Sequence, residues 1–273
     1  VRLDRALHAR GLARSRSHAQ ELIARGYVTV DGVVVERSSA PVSEDARIVV
    51  AAGSHYVSRA AHKLVGALDA CEPLGLSVAG SHALDAGAST GGFTQVLLER
   101  GAAHVDAVDV GHGQIAAPLR TDSRVTVSEG LNVRDLVPGG PGTGATLVVA
   151  DLSFISLTLV VNALATVADA LADHVLMVKP QFEVGKRWLS GRGVVTDARA
   201  RRRAVATVAS SMQEAGLTIH HVARSALPGP QGNVEFFVWA SGAWQASGER
   251  AGRPVLAGDA LDQAIDREVG TRP

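Results

Sequence analysis

From about residue 82 to residue 239 the chain repeats one pattern, a short apolar run followed by a stretch with helical spacing. The runs fall at 83–84, 105–108, 125–127, 147–150, 175–178, 219–222 and 236–239. Strands that alternate with helices are joined by crossovers, and crossovers connect parallel neighbours. The expectation is an α/β domain built on a doubly wound, mostly parallel sheet with helices on both faces. No apolar run approaches the roughly 18 residues of a membrane span, so the sheet should be the core of a soluble protein.

Ligands of such sheets bind beyond the carboxyl ends of the strands. The first of these ends reads Asp85-Ala86-Gly87-Ala88-Ser89-Thr90-Gly91-Gly92-Phe93 and runs into a helix through Gln95, Leu97 and Leu98. Its glycines let the backbone turn and approach a ligand, and the helix start offers free N–H groups, which suits a nucleotide-like cofactor. Ser89 stands where a dinucleotide fingerprint needs its middle glycine, which disfavours NAD, and no P-loop sequence is present. Asp109, at the end of the second run, can accept hydrogen bonds from both hydroxyls of a ribose. Asn132 follows the third run, where it could meet an adenine edge. Asp151 leaves the fourth run and Lys179 the fifth.

Lysine usage sharpens the reading. Of 27 basic residues only Lys63, Lys179 and Lys186 are lysines. Arginine serves wherever charge alone is wanted, whereas lysine can give up its proton, so a retained lysine can mark a chemical need. Lys179, leaving an apolar strand near Asp151, is a candidate proton acceptor. Glu235 opens the last apolar run and requires a partner there.

The first fifty residues form a separate module. Leu3 and Leu7 predict a short helix ending at Gly11. Ser15 or Ser17 caps a second helix that stops at Gly26, and Asp31-Gly32 joins a two-residue hairpin. Residues 1–28 carry Arg2, Arg5, Arg10, Arg14, Arg16 and Arg25 against only Asp4 and Glu21. The whole chain balances at 27 basic and 27 acidic residues. Phosphate is therefore the expected partner of this end, with an ordinary solvated face as the competing reading. The pieces Arg2-Leu3-Asp4, Ser15-Arg16, Leu22-Ile23, Gly26-Tyr27-Val28 and Val30-Asp31-Gly32 resemble the S4-type RNA-binding module. That resemblance assigns backbone contacts to Arg2, Arg5, Arg14 and Arg16.

The glycine loop opened by Asp85 resembles the first motif of S-adenosylmethionine-dependent methyltransferases. Lys63, Asp151, Lys179 and Glu235 resemble the K-D-K-E tetrad of the FtsJ-like ribose 2′-O-methyltransferases. With the S4-type module in front, the chain is similar throughout to the TlyA, or hemolysin-A-like, family. The resemblance implies a Rossmann-like methyltransferase acting on cytidine in 16S and/or 23S ribosomal RNA, with those four residues catalytic and S-adenosyl-L-methionine as cofactor. It places the cofactor against Asp85, Gly87, Ser89, Gly91, Gly92, Phe93, Asp109, Asn132 and Asp151. Arg59, Arg134, Lys186 and Arg187 join the N-terminal arginines as expected RNA contacts. The expected division is an S4-like domain over 1–52, a linker over 53–57, the methyltransferase domain over 58–245 and a peripheral tail over 246–273.

A loop over 185–193, followed by Arg199, Arg201, Arg202 and Arg203 at a helix start, adds a basic stretch whose charges oppose the helix dipole. Phosphate contact, at Arg201 and Arg202 in particular, and a plain solvated run remain equal readings of it. The rivals from other classes are a membrane-active hemolysin, for which only a polar-interrupted helix over 155–172 is available, and a non-catalytic RNA-binding protein. Single Cys71 excludes internal disulfides and fits a reducing cytoplasm, and no charged-then-apolar leader opens the chain. The histidines carry no H-E-x-x-H or Cys/His ligand spacing, so no metal is expected. A monomer is the favoured state.

Overall fold

The computed structural model describes residues 1–13, 15–24, 26–50, 56–242 and 252–270. The N-terminal module contains α1 (Leu3–Ala9), α2 (Arg16–Ala24) and the strands β1 (Val28–Val30), β2 (Val33–Val34) and β3 (Ile48–Val50). β1 lies between β2 and β3, antiparallel to both. Asp31 and Gly32 take φ of 51° and 80°, the left-handed pair that a tight hairpin requires. Ser15 caps α2 by accepting the His18 N–H at 3.0 Å. Leu3, Leu7, Ile23 and Val28 are fully buried in a small core of their own.

The larger domain follows as α3 (Ala60–Cys71), β4 (His82–Ala86), α4 (Gly92–Glu99), β5 (His104–Asp109), α5 (Ala117–Arg120), β6 (Val125–Glu129), β7 (Leu147–Ala150), α6 (Val161–Val167), β8 (Asp173–Val178), α7 (Pro180–Glu183), α8 (Ala198–Glu214), β9 (Thr218–Arg224), β10 (Phe236–Ser241) and α9 (Gly258–Val269). All seven apolar runs are strands of one sheet, ordered β6-β5-β4-β7-β8-β10-β9. β4 through β8 pair in parallel, and β10 runs antiparallel to β8 and β9. Alternate side chains of each strand enter different cores, Val148 and Ala150 beneath α6, α8 and α9, and Leu147 and Val149 beneath α3 and α4. His220 and His221 diverge as alternation requires, the first fully buried and the second half-buried.

Two expectations change. The stretch over 258–269 is no peripheral tail, because α9 sinks Leu261, Ile265 and Val269 into the core shared with α8 and β9. Their i, i+4, i+8 spacing forms one apolar stripe. The helix expected over 155–172 is only a 3₁₀ turn at Leu157–Leu159 followed by α6. No helix among the described residues is long and apolar enough to cross a membrane. The linker boundary at 53–55 lies outside the described residues.

Candidate active site

The parallel strands β4, β5 and β7 end together, and the loop after β4 folds over their ends. Gly87 has φ of +87°, and a Cβ there would sit 3.0 Å from the carbonyl oxygen of Asp151. Only glycine lets these two segments approach so closely. Gly91, also left-handed, starts α4. Asp109 accepts the Ser89 N–H at 2.8 Å and the Gly111 N–H at 2.7 Å, which fixes the loop against β5. Gly87, Ser89, Asp109, Asn132, Asp151 and Phe154 line a cavity of about 900 Å³. A carboxylate at one end, a second carboxylate at the other and glycine backbone between them form a donor set suited to a ribose diol and a cationic centre, so the residues present fit an adenosyl sulfonium cofactor.

Of the other residues expected at that cofactor, Asp85 holds the loop from behind, while Gly92 and Phe93 border a second, smaller cavity. Asp85 is fully buried beneath it and accepts the Thr94 hydroxyl at 2.6 Å. Burial, aided by the charges of Asp151 and Asp109 and opposed by Thr94, pushes its carboxyl up to about 7. Phe93 is buried and packs its ring against Phe237. Gly92 has no room for a Cβ, which would run into Ser58 Oγ and the backbone of α3. Asn132 lines the cavity, but its Oδ1 already accepts the Arg134 N–H at 3.0 Å and caps a 3₁₀ turn.

The four tetrad residues meet at the same edge. Lys179 Nζ lies 2.6 Å from Asp151 Oδ1 and donates to Ser153 Oγ at 2.9 Å. Lys63, on α3, donates to Glu235 Oε2 at 2.5 Å, and both side chains are buried. The topology explains the convergence, since Phe236 of β10 stands opposite Val178 of β8 and Glu235 therefore emerges beside Lys179. Burial alone would raise the Asp151 carboxyl, but the positive charges of Lys179 and Lys63 outweigh it and hold that carboxyl below its ordinary range. The second cavity, of about 260 Å³, opens on Lys179, Asp151, Ser153 and Gly87, and Ala24 and Glu36 of the N-terminal module form part of its wall.

Sequence reasoning missed several supports. Ser153 is a plain serine in a strand-end loop, and Glu36 comes from the other module. Glu183 accepts from Ser156 Oγ at 2.5 Å and from the Leu157 N–H at 2.9 Å, clamping the segment that carries Phe154. The signal for Glu183 was in the sequence, a carboxylate four residues past Lys179.

The expected RNA contacts divide. Arg5, Arg134, Lys186 and Arg187 are exposed. Arg2 and Arg16 both pair with the buried Asp4, whose carboxyl Arg2, ahead of Gln20 and Arg16, holds well below the usual range. Arg59 is buried between the modules, against Glu36 and the carbonyl of Pro228. Arg14 lies outside the described residues. Arg202 is no free cation, because Asp262 and Asp266 of α9 hold it at 2.7 Å each, and Arg201 is half-buried. The outcome at Arg202 follows from α9 packing against α8, where phosphate contact and a solvated run were equal readings.

The S4 domain family matches residues 1–48, and the FtsJ-like methyltransferase family matches residues 56–241. The 16S/23S rRNA (cytidine-2′-O)-methyltransferase TlyA of Mycobacterium tuberculosis is 49% identical over the whole of this chain and 98% of that protein. The chain belongs to the TlyA family of FtsJ-like methyltransferases. Hemolysin A of Brachyspira hyodysenteriae is a further TlyA relative, 35% identical over 86% of this chain and 98% of its own length. A solved Streptococcus thermophilus structure, provisionally described as a hemolysin, superposes with a TM-score of 0.73 at 30% identity, covering 99% of this chain and 94% of that one. Methyltransferases of this fold in general use S-adenosylmethionine.

Proposed function

We propose that this chain methylates the ribose 2′-oxygen of cytidine in 16S and/or 23S ribosomal RNA, with S-adenosylmethionine as donor. The observation that carries the reading is the convergence of Lys179–Asp151 and Lys63–Glu235 beside the glycine-loop cavity. Gly87, Ser89, Asp109, Asn132 and Asp151 would hold the cofactor. When bound, it supplies an electrophilic methyl group on a positive sulfonium. Asp151, a carboxylate at neutral pH, fixes the amine of Lys179, and Ser153 steadies it from the side. Lys179 Nζ holds the ribose 2′-hydroxyl and takes its proton as that oxygen attacks. The Lys63–Glu235 pair orients the same hydroxyl by charge-assisted hydrogen bonds. A positioned base is worth roughly 10²–10⁴ in rate, and alignment of the reacting oxygen supplies more.

Arg5 on one module and Arg134, Lys186 and Arg187 on the other are the phosphate contacts this reading uses, with Arg2 and Arg16 adding the exposed parts of guanidinium groups that share the single charge of Asp4, and they position RNA without reading its sequence. The substrate is then ribosomal RNA within subunits, met in the cytoplasm. The test is incubation of unmodified ribosomal subunits with labelled donor, followed by mass mapping of the ribose methyl. Lys179→Ala should bind donor normally in calorimetry and lose methylation. Wild-type rates in that variant would remove Lys179 as the base, and failure of the native protein to bind donor would favour an RNA-binding role without chemistry.

A further inference from the structure

At the end of the sheet opposite the cavities three metal-type donors face one another. His82 opens β4, His104 opens β5, and the two are direct partners in the parallel register. Asp106 lies two residues beyond His104 and projects from the same face. His82 Nε2 is 2.8 Å from Asp106 Oδ2, and His104 Nε2 is 3.5 Å from Asp106 Oδ1. One donor atom from each residue lies within 4.8 Å of the other two. The carboxylate is held from behind, because the Gly142 N–H donates to Oδ2 at 2.9 Å. Gly142 reaches it at φ of +78°, in a spot where a Cβ would press into Leu84. The imidazoles remain about one-third exposed, 32% and 35%, so solvent and ions reach them. The Thr126 hydroxyl, 3.0 Å from His104 Nε2, completes the polar edge.

We propose that His82, His104 and Asp106 form a binding site for a zinc-class divalent metal ion, with water in the fourth position. Two imidazole nitrogens and one carboxylate are a borderline donor set that late first-row ions prefer over magnesium or calcium. Zinc bonds of about 2.1 Å set tetrahedral ligand atoms about 3.4 Å apart, close to the spacing already present here. The ion would take the place of the hydrogen bond that now joins His82 Nε2 to Asp106 Oδ2. Its place is structural. His82 and Ala86 are four residues apart on β4, which sets the ion about 13 Å or more from the reacting edge. There it ties β4, β5 and the segment around Gly142 together.

The experiment uses the full chain stripped with chelator, then titrated with Zn²⁺ in a calorimeter and with Co²⁺ by visible absorption. One ion per chain, with the intense bands of four-coordinate cobalt, is expected in the wild type. His82→Asn, His104→Asn and Asp106→Asn should each weaken Zn²⁺ at least about tenfold and remove the Zn²⁺-dependent rise in Tm. Asp106→Asn keeps an acceptor for Gly142, and retained circular dichroism and donor binding show that a variant is folded. Equal binding by wild type and variants would place the metal on other histidines, and absence of saturable binding by the wild type would exclude the site. Either result overturns the proposal.

Discussion

Asp85 offers a test of the fold's electrostatics that is independent of catalysis. Its carboxyl is fully buried and rises from an ordinary value of 3.8 to about 7. A folded-state value above the unfolded one means that the native protein binds this proton more tightly. The stability contributed by the group is thus complete below the unfolded value and is lost as pH rises through about 7. At 1.36 kcal/mol per unit, the loss approaches about 4 kcal/mol at high pH, of which about 3 kcal/mol falls between about pH 4.5 and pH 8. Asp85→Asn keeps an acceptor for the Thr94 hydroxyl and cannot ionise. Any fixed cost of placing an amide there is the same at every pH and cancels from the slope. Urea unfolding of both proteins across that range should show the stability of Asp85→Asn minus wild type growing by about 3 kcal/mol as pH rises. Donor affinity should survive, since Asp85 supports the loop without lining the cavity. A difference that stays flat with pH would refute the assignment of a high carboxyl value to this site.

Other outcomes follow from the same geometry. Lys63→Met leaves Glu235 charged and buried without its partner, and should cost about 3–5 kcal/mol in urea unfolding, much of it recovered in the Lys63→Met/Glu235→Leu double variant. Lys179→Arg keeps a positive charge beside Asp151 but cannot take up a proton, so it should bind donor normally and lose single-turnover methylation by about 10²-fold or more; a wild-type rate would argue against proton transfer to Lys179. Arg5→Glu should weaken RNA binding and reduce its salt dependence, whereas Arg202→Glu should chiefly lower Tm by setting a carboxylate against Asp262 and Asp266; filter binding across salt concentrations and thermal melts separate the two. Gly92→Ala should destabilise the protein by about 1–3 kcal/mol through collision with Ser58, read in the same denaturation assay.

The larger sheet was legible because its strands are continuous apolar runs, which buried parallel strands must be. The tetrad was legible because lysines are scarce and Glu235 sits at the mouth of an apolar strand. Lining and supporting residues were harder to separate. Asp85 and Asp109 are both acids at strand ends, and only the fold of the loop decides that one lies beneath it and the other at the rim. Arg2 and Arg16 read as free cations because nothing local shows that Asp4 turns inward to receive them. The His82–His104–Asp106 cluster was hidden because only the His104–Asp106 pair has a linear spacing, and strand register alone brings residue 82 beside residue 104.

Glu36 reaches Arg59 at 3.5 Å, and Tyr27 donates its hydroxyl to the carbonyl of Tyr56, so the arginine-bearing module is built into the wall of the chamber that Lys179 lines. Under the proposed function, nucleic acid gripped by that module and a ribose presented to Lys179 belong to one substrate, so binding energy gained at the first can be used to align the second. A lone cytidine, however well it fits beside Lys179, forgoes that remote binding energy and should turn over far more slowly than the same nucleoside within a structured ribosomal particle.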